Sequence, residues 1–141
     1  MLILDTSVLF AARNRRESDH QACGDLLRSE GRLVLPAPVV VETCAMLRRR
    51  LGTAHEVDFL DVLLGGAFEV VDLLHEDYFR AARLVETYEN LSLGFVDAAI
   101  VAIAERMGAT RIATLNHRDF AVVQPSNALH FTLLPGEAVR D

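Results

Sequence analysis

Three acidic side chains stand where acids are expensive. Asp5 ends the apolar run Leu2-Ile3-Leu4, Glu42 follows Val39-Val40-Val41, and Asp97 opens the wholly apolar stretch Ala98 to Ala104. An unpaired carboxylate in such surroundings costs several kcal/mol unless a partner compensates it. A shared divalent cation would compensate several at once, and hard oxygen ligands favour Mg²⁺ or Mn²⁺ over zinc. Other polar groups fall at similar places. Thr6 and Ser7 follow the first run, and Asn116, His117 and Asp119 follow a later one that contains Thr114. Each acid also has a plainer use. Asp5 suits a helix cap, Asp97 suits a helix N-terminus, and Glu42 could pair with Arg48 or Arg49. The three together favour a metal site.

The elements that must position these residues alternate between short apolar runs and helical patterns. Strands are expected at Leu2–Leu4, Leu33–Leu35, Phe68–Leu73, Arg111–Leu115 and Phe131–Leu134. Helices are expected at Thr6–Ala12, from Ser18 or Asp19 to Ser29, at Pro38–Leu51, and from Thr53 to the Gly65-Gly66 pair. Two more are expected at His75–Glu89 and Phe95–Met107. Thr53-Ala54-His55-Glu56 has the spacing of a capping box, and Gly108 suits a C-terminal cap. In the helix from His75, Phe79, Ala82, Leu84 and Val85 fall near one face, opposite Arg80, Arg83, Glu86 and Glu89. The stretch after Asp97 is apolar all round and belongs inside the protein. This alternation predicts an α/β fold with a central, mostly parallel five-stranded sheet covered on both faces. Ligands of such sheets bind beyond the carboxyl ends of the strands, where Asp5 and the Asn116 segment fall.

Composition narrows the class. The chain has 141 residues with no repeat or interdomain linker, and one domain over 1–141 is expected. Its net charge of −6, from 20 acids against 14 bases, argues against a general nucleic-acid coat. Arginine supplies the positive charge and clusters at Arg13, Arg15 and Arg16 and at Arg48, Arg49 and Arg50. Guanidinium groups suit phosphate, although such clusters also suit solvated helix ends. Cys23 and Cys44 have no metal-ligand spacing and fit a reducing compartment. The N-terminus lacks the pattern of a signal peptide, and Ala98–Ala104 is too short to span a bilayer. A cytoplasmic protein is expected.

Four segments, taken in order, resemble the PIN domain family. They are Asp5-Thr6-Ser7 after a strand, Glu42 in Val-Val-Val-Glu-Thr, Phe95-Val96-Asp97-Ala98-Ala99-Ile100, and Ile112 to Phe120. The size is similar to that of VapC-type toxins. The resemblance implies a three-layer α/β/α fold and a carboxylate cluster binding Mg²⁺, with Mn²⁺ able to substitute. It also implies RNA cleavage, inhibition by a small cognate antitoxin protein, and a homodimer. Asp5, Glu42 and Asp97 would form the acidic core, with Asp5 and Asp97 as metal ligands and Thr6, Ser7 and Thr114 as supporting hydroxyls. The fourth segment departs from the pattern, because Asn116 stands where an Asp is common. Asp119 is placed to take over part of that role. Arg13, Arg15, Arg16 and Arg118 are candidate RNA contacts.

The chemistry this implies is metal-assisted hydrolysis of a phosphodiester, with Glu42 orienting or deprotonating water and Asn116 or Asp119 completing the shell. No Ser-His-Asp order is present, and His117 reads as a surface or RNA-contacting residue. A module that binds RNA or a partner without cutting is the alternative, favoured by Asn116. A phosphotransferase using Asp5 as nucleophile would want a second acid at position 7, which is Ser7. Leu26, Leu27, Met46, Leu47 and the Leu60–Leu64 segment read mostly as core, with some left for a dimer seam or an antitoxin groove.

Overall fold

A computed structural model describes residues 1–136; positions 137–141 of the expected domain lie outside the described residues. The chain runs β1 (Leu2–Leu4), α1 (Thr6–Arg13), α2 (His20–Ser29), β2 (Leu33–Pro36), α3 (Ala37–Leu51) and α4 (Thr53–Leu64). It continues through β3 (Glu69–Val71), α5 (His75–Thr87), α6 (Phe95–Met107), β4 (Arg111–Ala113), α7 (His117–Val122) and β5 (Thr132–Leu134).

The five strands form one sheet in the order β3-β2-β1-β4-β5, and every pairing is parallel. The central strand shows why. Leu2, Ile3 and Leu4 are completely buried, which requires cover on both faces, and helices provide it. Ile3 aligns with Val34 on one side and Ile112 on the other. Each such buried side chain contributes about 1.5–3 kcal/mol. From β1 the chain builds outward to β3, then crosses to the opposite side of β1 to lay down β4 and β5. That reversal opens a crevice beyond the carboxyl ends of β1 and β4.

Helix α6 lies in the interior as its composition demands, with Ala98 through Ala104 all buried. It packs on α5, α3, β1 and β2, and Gly108 ends it in the left-handed conformation at φ 69°. Among the described residues no helix is long and apolar enough to cross a membrane.

The expected mostly parallel five-stranded sheet is present, and parallel throughout. Three other expectations are corrected. Helix α4 starts at Gly52 without a side-chain cap, so Thr53-Ala54-His55-Glu56 is not a capping box. Helix α7 is an added element in what read as an irregular segment; it is only 6 residues long and starts under an Asn cap. The buried face of α5 is formed by Asp77, Ala81 and Leu84, whereas Phe79 and Val85 are 67% and 36% exposed. The face is displaced because Asp77 is neutralised. Arg106 Nε donates to its two oxygens at 3.1 and 3.0 Å, and the Leu74 N–H donates to Oδ2 at 2.8 Å, capping α5.

Asp77→Ala leaves Arg106 unpaired and removes that cap. The expected loss is about 2–3 kcal/mol, because Arg106 keeps some contact with solvent. Urea unfolding should show a lower midpoint at unchanged slope.

Candidate active site

Asp5 leaves β1 and caps α1, which fixes its carboxylate at the crevice. Oδ1 accepts from the Thr6 N–H at 2.8 Å. Oδ2 accepts from Ser7 Oγ at 2.9 Å and from Thr114 Oγ1 at 2.7 Å. Those hydroxyls are held in turn. Ser7 Oγ accepts from the Leu115 N–H and Thr114 Oγ1 from the Asn116 N–H, both at 3.0 Å. The network stitches the start of α1 to the exit of β4, alongside the backbone bond from Asp5 N to Ala113 O at 2.9 Å.

Asp5, Thr6 and Ser7 line one open cleft of about 440 Å³ with Glu42 of α3 and Asp97 of α6. Burial is the main force raising the Asp5 pKa above its ordinary value, against three lowering hydrogen bonds, and repulsion from Glu42 adds to it. Asp97 is pushed from 3.8 up to about 7, first by burial and then by the charges of Asp5, Glu42 and Asp119. Asp119 is buried at the start of α7. Asn116 Nδ2 donates to its Oδ2 at 3.2 Å, and Asn116 Oδ1 accepts its N–H at 3.4 Å.

The contrast with acids elsewhere is informative. Buried Asp77 pairs with Arg106, Glu105 with Arg80, and Glu30 with Arg111. Among the described residues, no ion pair reaches Asp5, Glu42, Asp97 or Asp119. The fold concentrates negative charge here and leaves it uncompensated, and all the donors are oxygen. Such a set suits a hard divalent cation. It is not a closed cage, since among the described residues no three His, Cys, Asp or Glu side chains gather closely enough to hold a metal.

The PIN domain family matches residues 2–124. The chain belongs to the PIN domain family. It is 33% identical over 135 residues to Ribonuclease VapC26 of Mycobacterium tuberculosis, covering 95% of this chain and all of that protein. Two solved structures share the fold. VapC20 of Mycobacterium tuberculosis, a sarcin-ricin loop cleaving toxin, superposes with a TM-score of 0.74 at 22% identity, over 79% of this chain and 87% of that one. A toxin–antitoxin complex from Klebsiella pneumoniae gives 0.67 at 20% identity, over 87% and 92%.

On this PIN domain the remaining residues singled out in the sequence fall as follows. Asp5, Thr6, Ser7, Glu42 and Asp97 share the cleft; Thr114, Asn116 and Asp119 back it from the β4 side. Thr6 Oγ1 is buried with no partner. Arg118 is exposed on α7, next to Asp119. Arg13 sits at the far end of α1, where it pairs with Asp58 at 2.8 Å and covers the Phe59 ring at 5.5 Å. Arg15 and Arg16 are exposed beyond it. His117, expected at the surface, is half-buried with Nε2 enclosed and unpartnered. Met46, Ser92, Gly94 and Phe95 also line the cleft. Phe95 opens the third family segment and Met46 read as core or groove, whereas Ser92 and Gly94 carried no sequence signal.

Proposed function

We propose that this PIN domain is a Mg²⁺-dependent endoribonuclease, the toxin of a toxin–antitoxin pair, cutting phosphodiester bonds in structured RNA. The carrying observation is that Asp5, Glu42 and Asp97 line one cleft, with Asp119 behind it acting on Asp97, while every ion-paired acid lies elsewhere. Asp5 and Asp97 would hold the metal, with Asn116 and Asp119 completing its surroundings. Mg²⁺, or Mn²⁺ in its place, supplies a lowered pKa for water and neutralises charge developing on the phosphate. Glu42 orients the attacking water and takes its proton. Ser7 and Thr114 hold Asp5 Oδ2 in place, and Asn116 holds Asp119. The Asn116 amide therefore does not empty the fourth position of charge, because Asp119 acts on Asp97. This favours cleavage over a binding-only module.

Two surfaces support the proposed partners. A cleft of about 700 Å³ between α1, α2 and α4 has a floor that includes Leu9, Leu27 and Phe68 and a rim that includes Arg13 and Arg15. It suits the apolar face of an amphipathic antitoxin helix with acidic flanks. The uncovered Phe79 and Val85 of α5 suit a homodimer seam.

The test is cleavage of total bacterial RNA by purified protein with Mg²⁺, Mn²⁺ or EDTA. Discrete fragments bearing 5′-phosphate and 3′-hydroxyl ends, absent with EDTA, are expected. Ribosomal RNA is the first target to map, given the toxin that VapC20 represents, and transfer RNA the second. Intact RNA under every condition, from folded and antitoxin-free protein, would leave the binding-only reading.

A further inference from the structure

Two aromatic rings at the lip of the carboxylate cleft take no part in the core. Tyr78 of α5 and Phe95 of α6 stack on one another, with centroids 5.8 Å apart and planes 16° apart. They remain 54% and 45% exposed. Phe95 lines the cleft itself and stands two residues before Asp97. The two rings come from different helices and lie nearly parallel and offset, so each shields part of one face of the other and leaves its outer face as an apolar step. That step lies beside the place where a scissile phosphate would sit.

A flat aromatic step is what a nucleobase stacks on, and every base has a π face to offer. Bases within a duplex are already stacked on their neighbours and cannot reach such a surface; bases in loops and bulges can be splayed onto it. We infer that Tyr78 and Phe95 form a stacking platform for an unpaired base beside the scissile phosphate. The inference uses the nuclease reading to place the phosphate, but its test does not depend on cleavage.

The chain contains no tryptophan, so Phe95→Trp introduces a single tryptophan at the platform, excitable apart from the two tyrosines. Titration with a single-stranded oligoribonucleotide of eight nucleotides should quench it. An abasic strand of equal length and charge should not, nor should the same sequence as a duplex. In parallel, Tyr78→Leu and Phe95→Leu should weaken binding of the base-containing strand by about 5- to 100-fold and leave binding of the abasic strand unchanged. Equal quenching by the abasic strand overturns the platform, as does unchanged affinity in both leucine variants. So does a shift from dimer to monomer on sedimentation of Phe95→Leu with unchanged RNA affinity, which would make the pair a protein contact. RNA left uncut by the wild type while quenching persists sinks the nuclease and keeps the platform. Cleavage by the wild type with no effect of either leucine sinks the platform and keeps the nuclease.

Discussion

Asp97→Asn is expected to cut RNA about a thousandfold more slowly than the wild type, the loss typical of removing one well-placed charged or polar group from an active site. In metal-free buffer at pH 8 it should also melt at a higher temperature. Both effects have one cause. Asp97 is crowded by burial and by Asp5, Glu42 and Asp119, and ionises near 7 instead of 3.8. The folded chain therefore holds this proton more tightly than the unfolded chain does. The stability this adds is complete below pH 3.8 and is lost as pH rises to about 7. Full conversion of the shift would be about 4 kcal/mol; solvent contact at the cleft reduces this to about 2 kcal/mol. An amide carries no charge to repel, so the variant is spared the loss. Calorimetry at pH 5 and pH 8 without metal, then with Mg²⁺, checks this. The gap between the proteins should open at the higher pH and close when Mg²⁺ stabilises the wild type. Equal melting at both pH values would mean that neither burial nor the neighbouring acids disfavour the Asp97 charge.

Asp5→Asn is expected to lose activity on a similar scale, but its stability should move the other way. The Asp5 carboxylate accepts from one N–H and two hydroxyls. An amide can keep its oxygen toward Thr6, but then points a donor at two donors. Ser7 Oγ and Thr114 Oγ1 lie 3.5 Å apart, so one can accept from the other, and one proton is left without an acceptor. The expected cost is about 1–2 kcal/mol at neutral pH. It is offset in part because the amide no longer buries a charge, the largest force on this carboxylate, and no longer meets the Glu42 repulsion. Denaturant unfolding beside Asp97→Asn would show the two variants displaced in opposite directions from the wild type. Displacement in the same direction would mean that the hydroxyl network does not hold Asp5.

The framework was legible because its signals are local. Leu2-Ile3-Leu4, Leu33-Val34-Leu35 and the Ala98–Ala104 run are too apolar to be anything but interior, and Gly52, Gly65 and Gly108 mark real helix ends. The acids were legible as misfits in those runs. Signals that depend on distant partners were not. Asp77 reads as a surface acid until Arg106, on another helix, is seen to cover it, and this displaced the expected buried face of α5. Helix α7 has too few residues for a periodic pattern. Arg13 resembles its exposed neighbours Arg15 and Arg16, yet Asp58 and Phe59, brought over by α4, engage it. The tie between Asn116 and Asp119 needed the short helix that no pattern announced.

The order of the strands also constrains when this protein can act. Strand β1 lies at the middle of the sheet, yet one of its two edges stays open until β4 arrives, after β2 and β3 have been placed on the other side. Asp5 has only Ser7 and Thr6 to hold it until Thr114 has been made, and the fourth acid comes later still. A chain growing on the ribosome therefore cannot complete the carboxylate cleft before β4 and α7 have been made, so any cutting power would appear late in its synthesis.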